Sequence, residues 1–324
     1  MDCAELRERV RGGGLFARDR PLVAMLSGGR DSTCLVDVAC ALLGPSQVRA
    51  LHVNYGLRAR ADEDESRCHE LCGELGVELE VVRAGAARGN VQAWARERRY
   101  SEARRVAARQ DALIATGHTA SDQVETILYR LAASPGRRAL LGMAPAEGRL
   151  IRPLLEITRE QTAEYCRARG LRFCEDESNE DEQYARVRVR GRVVPALRAV
   201  HPAAERNVLR TAALLREETQ LLDELVAAEL AGRNSIAVAR LRELPAALAR
   251  MVVVSLAERA SGGYVPQAGE RVEEILALAR RGGRAELHVG GNAGAVISGG
   301  VLAMVKLPPR TTAAGEGARP TPSL

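Results

Sequence analysis

The chain is nearly devoid of lysine. Lys306 is the single one among 47 basic residues, so its cationic chemistry is guanidinium chemistry throughout. A nucleotide loop of the Walker A kind requires a lysine after its glycines, which excludes that class of site. Chemistry that holds AMP on an active-site lysine is disfavoured for the same reason, because Lys306 lies just ahead of Pro308 and Pro309. Aromatic residues make up only 3% of the chain, so any core must rest on Leu, Val, Ile and Ala. No apolar run approaches the roughly 20 residues of a membrane-spanning helix. The stretch from Met1 to Arg20 is charged and lacks the apolar centre of a secretory signal. These absences predict a cytoplasmic protein with no membrane partner. Seven cysteines are scattered without any C-x-x-C spacing, Cys68 and Cys72 being four apart. That argues against a zinc ribbon or an iron–sulfur site and fits reduced thiols.

What is present begins with Ser27-Gly28-Gly29-Arg30-Asp31-Ser32. It follows the apolar run 21–26, which reads as a buried strand, and precedes 33–43, where Leu35, Val38, Ala39 and Leu42 recur with helical spacing. A strand, a glycine-rich turn and a helix start form an anion site, since glycine admits a close backbone approach and the first helical N–H groups face the ligand. The alternative is an ordinary strand-to-helix turn, because Gly, Ser and Asp are common turn residues.

Strand and helix then alternate. Strands are expected at 48–54, 77–82 and 111–116, and helices at 62–75, 90–109 and 119–131. The pattern predicts an α/β fold with an open, doubly wound parallel sheet. In such sheets ligands sit beyond the carboxyl ends of the strands, where the polar clusters 27–32, 52–58 and 116–122 all fall. Residues 133–150 read as a loop with scope for mobility, and 158–169 as a helix that Gly170 ends. An acidic run, 175–182, precedes an arginine-rich stretch. There Arg186, Arg188 and Arg190 alternate with valine, as in a strand, while the flank 193–198 suits a helix. From His201 the pattern is mostly helical, followed by short strands at 286–289, 294–297 and 301–305. The expected division is 1–200 for the sheet domain, 201–307 for a helical domain with a small sheet, and 308–324 for a disordered tail.

On the helix from Thr119, Asp122, Glu125, Thr126 and Tyr129 share one face, and Val124, Ile127, Leu128 and Leu131 the other. Two carboxylates facing the cleft suit an ammonium group or Mg²⁺, and one could accept a proton from an attacking amine. The competing reading is a solvated helix face with carboxylates favoured by the dipole.

The loop Ser27–Ser32 resembles the pyrophosphate loop, SGG-x-DS, of the N-type ATP pyrophosphatases, whose sheet is of the adenine nucleotide alpha hydrolase type. His52 to Arg58 (HVNYGLR), Ala115 to Thr126 (ATGHTASDQVET), Leu141 to Met143, Arg152 to Leu155 and Asp176 to Asn179 are together similar to one branch, the tRNA(Ile)-lysidine synthetases. The match runs in consistent order over residues 21–200. The resemblance implies a two-step ligation. ATP adenylates the C2 carbonyl oxygen of the wobble cytidine in a CAU-anticodon tRNA(Ile). Free L-lysine then attacks C2 through its ε-amine, giving lysidine, AMP and pyrophosphate.

Carried onto this chain, the resemblance implies ATP contacts from Ser27, Gly28, Gly29, Arg30, Asp31, Ser32, His52 and Asn54. Asp31 helps hold Mg²⁺ through water or supports the loop, the alternative being a cap on the following helix. His118 contacts the α-phosphate or packs the loop. Asp122 and Glu125 take the lysine, and Arg96, Arg186, Arg188 and Arg190 take the tRNA. A homodimer is left open. Tyr55, Gln92, Ser121 and Ala185 depart from the family pattern, which bears on the metal and lysine ligands. Two other readings are a tRNA thiolase of the same superfamily, which would want paired cysteines, and a catalytically silent RNA-binding relative.

Overall fold

The computed structural model describes residues 1–17, 19–56, 61–85, 91–133, 136–174 and 184–308. The motif end at Leu57 and Arg58, the acidic run 175–182 and the tail beyond residue 308 lie outside the described residues. The chain divides into two compact units, the first running from Met1 to Leu215 and the second beginning at Arg216.

The first unit opens with α1 (Cys3–Gly12), which the charged N-terminal sequence did not suggest. Asp2 caps it by accepting from the Glu5 N–H at 2.7 Å, and Leu6 and Val10 are buried. There follow β1 (Leu22–Met25), α2 (Arg30–Leu43), β2 (Val48–Asn54), α3 (Ala61–Leu75), β3 (Glu78–Arg83), α4 (Val91–Ala108), β4 (Leu113–Ala115) and α5 (Ala120–Ala133). Next come α6 (Arg137–Leu140), β5 (Ala146–Glu147), β6 (Leu150–Ile151) and α7 (Arg159–Ala168). The strands form one sheet in the order β3-β2-β1-β4-β6-β5, parallel except for β5 at the edge. This is the expected doubly wound sheet. β1 is fully buried between two layers: Leu22 and Ala24 face the core with α2 and α3, while Val23 and Met25 face Ala103, Val106 and Ala107 of α4. Strand order reverses at β1, so the loops after β1 and β4 lie side by side at the switch point.

The segment 133–150 is held in place where it is described. Gln123 and Met143 exchange two hydrogen bonds, of 2.7 and 2.6 Å. Arg130 donates to the Gly142 carbonyl at 2.7 Å and Arg152 to that of Ala144 at 2.6 Å. α7 begins with a complete capping box between Thr158 and Gln161 and ends at Gly170, where φ is +67°.

The arginine–valine alternation at 186–190 is helical. α8 (Ala185–Arg188) runs through a π-helical turn, Val189–Val193, into α9 (Val194–Val200). Val189 and Val194 are buried against Val124 of α5, which overrides the local strand pattern. The helical period separates the three arginines. Arg186 and Arg190, four apart, turn the same way, and Arg188 turns outward. α10 (Ala204–Leu230) begins within the first unit because Val208 and Leu209 pack on that same cluster, so the unit boundary falls inside this helix rather than at 200. Leu131, expected on the packed face of α5, is instead 59% exposed, one turn beyond the buried part of the helix.

The second unit contains β7 (Ser235–Ala237), α11 (Val238–Glu243), α12 (Ala246–Ser261), α13 (Val272–Arg280) and the strands β8 (Ala285–Gly290), β9 (Ala293–Ser298) and β10 (Val301–Lys306). Its antiparallel sheet has the order β7-β10-β9-β8, and its core gathers Val252, Val253 and Leu256 of α12 with Ala295, Ile297 and Leu302. The strand β7 is too short to have been legible. Among the described residues no helix is long and apolar enough to cross a membrane.

A buried ion network braces α2. Asp37, with its side chain 2% exposed, accepts from Arg169 at 3.0 Å and Arg7 at 3.2 Å and from the Tyr165 hydroxyl. Burial alone pushes this carboxyl up, yet the bonds from Arg169 and Tyr165 hold it below its ordinary value. A depressed carboxylate contributes stability above the unfolded pKa of about 4 and loses it as the pH falls through the folded value. Replacing Asp37 by Ala is expected to cost about 3 kcal/mol in urea unfolding at pH 7. The stability gap between wild type and Asp37→Asn is expected to hold from about pH 5 to 8 and to narrow below about pH 4; a gap that widens on acidification would contradict this account.

Candidate functional site

The glycine loop joins β1 to α2. Gly28 has φ +83°, a region that only glycine enters without strain, and a Cβ there would lie 3.4 Å from the Asp64 carbonyl oxygen. Gly29 is the N-cap of α2 and supplies no side-chain cap. The Ser32 hydroxyl donates to the Gly29 carbonyl at 2.8 Å and accepts from the Ser27 N–H at 3.1 Å. The Ser27 and Ser32 hydroxyls lie 3.0 Å apart, so with Ser32 committed to Gly29 the Ser27 hydroxyl is the donor between them. The loop is therefore braced by its own serines. The N–H groups of the first turn of α2 meet no side-chain cap, as an anion-binding helix start requires.

The loop after β4 rests directly on that turn. A Cβ on Gly117 would come within 2.9 Å of the Asp31 carbonyl oxygen and 3.1 Å of the Ser32 nitrogen, so a larger residue would force the two loops apart. His118 follows, its Nδ1 2.8 Å from the Thr116 hydroxyl. Burial, reinforced by Arg186, Arg152 and Arg96 against the opposing charge of Asp122, lowers its pKa to about 4. The imidazole is accordingly neutral at physiological pH.

Asp122 and Glu125 stand on the buried part of α5. Asp122 Oδ2 accepts from the Thr119 N–H at 2.8 Å and hydroxyl at 2.9 Å. Asp122 Oδ1 accepts from Arg186 Nη2 at 2.7 Å and Arg159 Nη2 at 2.9 Å. Glu125, with its side chain 2% exposed, accepts from Arg190 Nε at 2.7 Å, Arg186 Nε at 2.8 Å and Arg159 Nη1 at 3.1 Å. Burial pushes both carboxyls up. The guanidinium groups outweigh it, and both lie below their ordinary values. The competing expectation of a solvated face does not hold, since the face is buried. Arg186 and Arg190, expected at phosphates, are paired here with carboxylates.

The Asp31 carboxylate does not cap its helix. It accepts from the Thr162 hydroxyl and from Arg30 at 3.1 Å, with Arg159 Nε at 4.0 Å. His52 is buried, its Nδ1 2.9 Å from the Leu26 carbonyl and its Nε2 without a partner. Because the carbonyl only accepts, Nδ1 carries the proton of that bond. Asn54 is engaged locally, donating to Glu65 at 2.8 Å and accepting from the Gly56 N–H at 2.9 Å. The Arg96 guanidinium lies 5.0 Å from the centre of the Tyr100 ring and contributes to the field at His118. Arg188 is exposed.

Two features escaped the sequence reading. One is Arg159, which bonds both carboxylates from the first residue of α7. A cation there opposes the helix dipole, and that misfit was the available signal. The other is a pair of thiols. The Sγ atoms of Cys68 and Cys174 lie 3.6 and 3.7 Å from where a Gly28 Cβ would stand, and Cys174 N–H donates to the Gly28 carbonyl at 2.9 Å. Their sequence separation hid the pairing.

The PP-loop domain family model matches residues 6–197. The chain is 40% identical over 212 residues to a tRNA(Ile)-lysidine synthase of Pseudomonas fluorescens, covering 63% of this chain and 48% of that one. It is 39% identical over 221 residues to the Escherichia coli O157:H7 protein of the same name, covering 65% and 51%. With the protein of that name from Dehalococcoides mccartyi the identity is 34% over 290 residues, covering 81% and 61%. The chain thus spans about half the length of the first of these relatives. Among solved structures, the U34-tRNA thiolase NcsA of Methanococcus maripaludis aligns with a TM-score of 0.56 at 18% identity, covering 66% of this chain and 78% of that one, a likeness of fold.

The charge state of His118 is directly measurable. Its ring proton resonances are expected to titrate with a midpoint near 4. A midpoint near the ordinary value of about 6.5 would show that the ring is not enclosed by these arginines.

Proposed function

The chain belongs to the PP-loop family, and from that membership we propose that it ligates free L-lysine to C2 of the wobble cytidine of a CAU-anticodon tRNA(Ile), consuming ATP and releasing AMP and pyrophosphate. The observation that carries this reading is the 40% identity to a named lysidine synthase over 212 residues. The glycine loop at the uncapped start of α2 and the residues at the neighbouring strand ends support it.

The amide groups of Gly28 and Gly29 with the start of α2, aided by Ser27, Ser32 and Arg30, receive the pyrophosphate of ATP. His52 and Asn54 line the adjoining strand end, where the nucleoside is expected. His52 Nε2, buried and unpartnered, is a polar atom that a group on that nucleoside can satisfy. Asp31 would hold a Mg²⁺ ion brought in with the nucleotide, as one carboxylate among its ligands. Among the described residues no group of three or more His, Cys, Asp or Glu side chains could hold a metal by itself. When bound, the ion neutralises phosphate charge.

In the first step the C2 carbonyl oxygen attacks the α-phosphorus, and the bond to the β-phosphate bridging oxygen breaks. With the Thr116 hydroxyl donating to Nδ1, the neutral His118 presents Nε2–H toward the α-phosphate. In the second step the lysine amine attacks C2 and AMP leaves with its bonding electrons. Asp122 and Glu125 hold the ammonium beforehand and accept the proton that the amine must lose. Arg96 and Arg188, together with Arg186 and Arg190 on release from their carboxylates, would contact RNA phosphates, which would make binding steeply salt-dependent.

The thiol pair at Gly28 favours one other reading, thiolation of a tRNA base, as the name of the aligned NcsA structure also suggests. Burial works against it, pushing the Cys68 thiol far up and the Cys174 thiol up to about 12, away from the nucleophilic thiolate.

One assay separates the readings: incubation with ATP, Mg²⁺, lysine and the CAU-anticodon tRNA(Ile), then digestion and mass analysis of the nucleosides. Lysidine is expected. Its absence with folded protein would overturn the proposal, and a sulfur-dependent mass gain would favour thiolation. Asp122→Asn and Glu125→Gln are each expected to lower lysine-dependent turnover about 100-fold without changing ATP affinity; equal loss of both would contradict a role confined to the amine.

A further inference from the structure

The carboxylates assigned to lysine and two of the arginines assigned to tRNA are bonded to one another. Taken oxygen by oxygen, the acceptors are full. Asp122 Oδ1 accepts from Arg159 and Arg186, and Asp122 Oδ2 from the N–H and hydroxyl of Thr119. Glu125 Oε1 accepts from Arg159 and Arg190, and Glu125 Oε2 from Arg186 and Arg190. A carboxylate oxygen has two lone pairs, so an arriving ammonium finds no vacant acceptor. It would also be a fourth cation beside two anions. Lysine therefore enters only if a guanidinium leaves.

Arg186 is the one placed to go. Its side chain is 42% exposed, against 31% for Arg190 and 20% for Arg159. It is also the one that leaves a site of the right shape. Its departure frees one acceptor lone pair on each carboxylate, on Asp122 Oδ1 and on Glu125 Oε2, and removes one positive charge. An ammonium brings back one charge and three donors. The displaced guanidinium needs an anion of its own, and an RNA phosphate is one it binds bidentately.

We propose that Arg186 occupies the lysine site until a phosphate of the tRNA withdraws it, so that lysine and tRNA bind with positive coupling. The inference rests on the lysine-ligation reading and specifies how that site is regulated. Coupling between two bound ligands is reciprocal, so lysine in turn tightens the tRNA complex.

The test is L-lysine binding to the full chain, by equilibrium dialysis with labelled lysine and a non-hydrolysable ATP analogue, with and without a tRNA(Ile) transcript carrying the CAU anticodon. The transcript is expected to raise lysine affinity on the order of tenfold. Arg186→Ala is expected to raise lysine affinity without RNA and to bring the with-RNA to without-RNA ratio toward one. Arg186→Lys, which tethers an ammonium in the same place, is expected to show no such gain. Lysine affinity indifferent to tRNA in the wild type, in a preparation that forms lysidine, would overturn the coupling and leave the function standing. Neither lysidine nor lysine binding in any variant would overturn both. The wild-type ratio needs no variant, so a misfolded substitution does not remove the test.

Discussion

A carboxylate can be kept away from water only beside a cation, and that requirement organises the first unit. Asp122 and Glu125 are buried on α5, so α7 and the α8–π segment must each bring arginine to them. The same logic operates at Asp37 on α2, which draws Arg7 from α1 and Arg169 from the end of α7. α7 serves both networks. Arg159, Thr162, Tyr165 and Arg169 form a polar stripe along it, reaching in turn the α5 carboxylates, Asp31 and Asp37. Asp31 and Asp37 belong to α2, so the helix whose first turn faces the glycine loop is tied to α7 at two heights. Buried ion pairs of this sort add little net stability compared with an apolar core, but losing one partner is costly. They fix orientation, which is what a site assembled from three strand ends requires.

The sheet order completes the arrangement. With β1 central and its neighbours on either side wound in opposite senses, the loops after β1 and β4 are forced together. The close approach of Gly117 to Asp31 is the physical expression of that crowding. His118 is then enclosed, with the positive charge of Arg186, Arg152 and Arg96 around it. Its neutrality follows from this enclosure rather than from any single bond.

Much of this was legible in the sequence because it depends on short-range rules. The strand–loop–helix at 21–43, the alternation that followed it and the gathering of polar clusters at strand ends all follow from periodicity and glycine placement. The face shared by Asp122 and Glu125 also follows from helical spacing. What was not legible depends on contacts between distant residues. Residues 186–190 carry a strand-like alternation, and only the packing of Val189 and Val194 on Val124 makes the segment helical. The burial of α5 stops before Leu131, a limit set by what lies against it and not by its own pattern. Cys68 and Cys174 both approach Gly28 from widely separated stretches of the first unit, and no spacing rule reaches that far.

The near-absence of lysine has a further chemical consequence. Adenylation turns a nucleobase carbon into an electrophile that any uncharged primary amine nearby can capture. A guanidinium, protonated at every physiological pH, cannot compete for it. On the proposed reaction, the first unit would meet the activated base with cations that carry no nucleophilic lone pair; residues 1–215 contain no lysine, and Lys306 is a residue of β10. Under the proposed ligation, no side-chain amine of the first unit would compete with the free amino acid for C2.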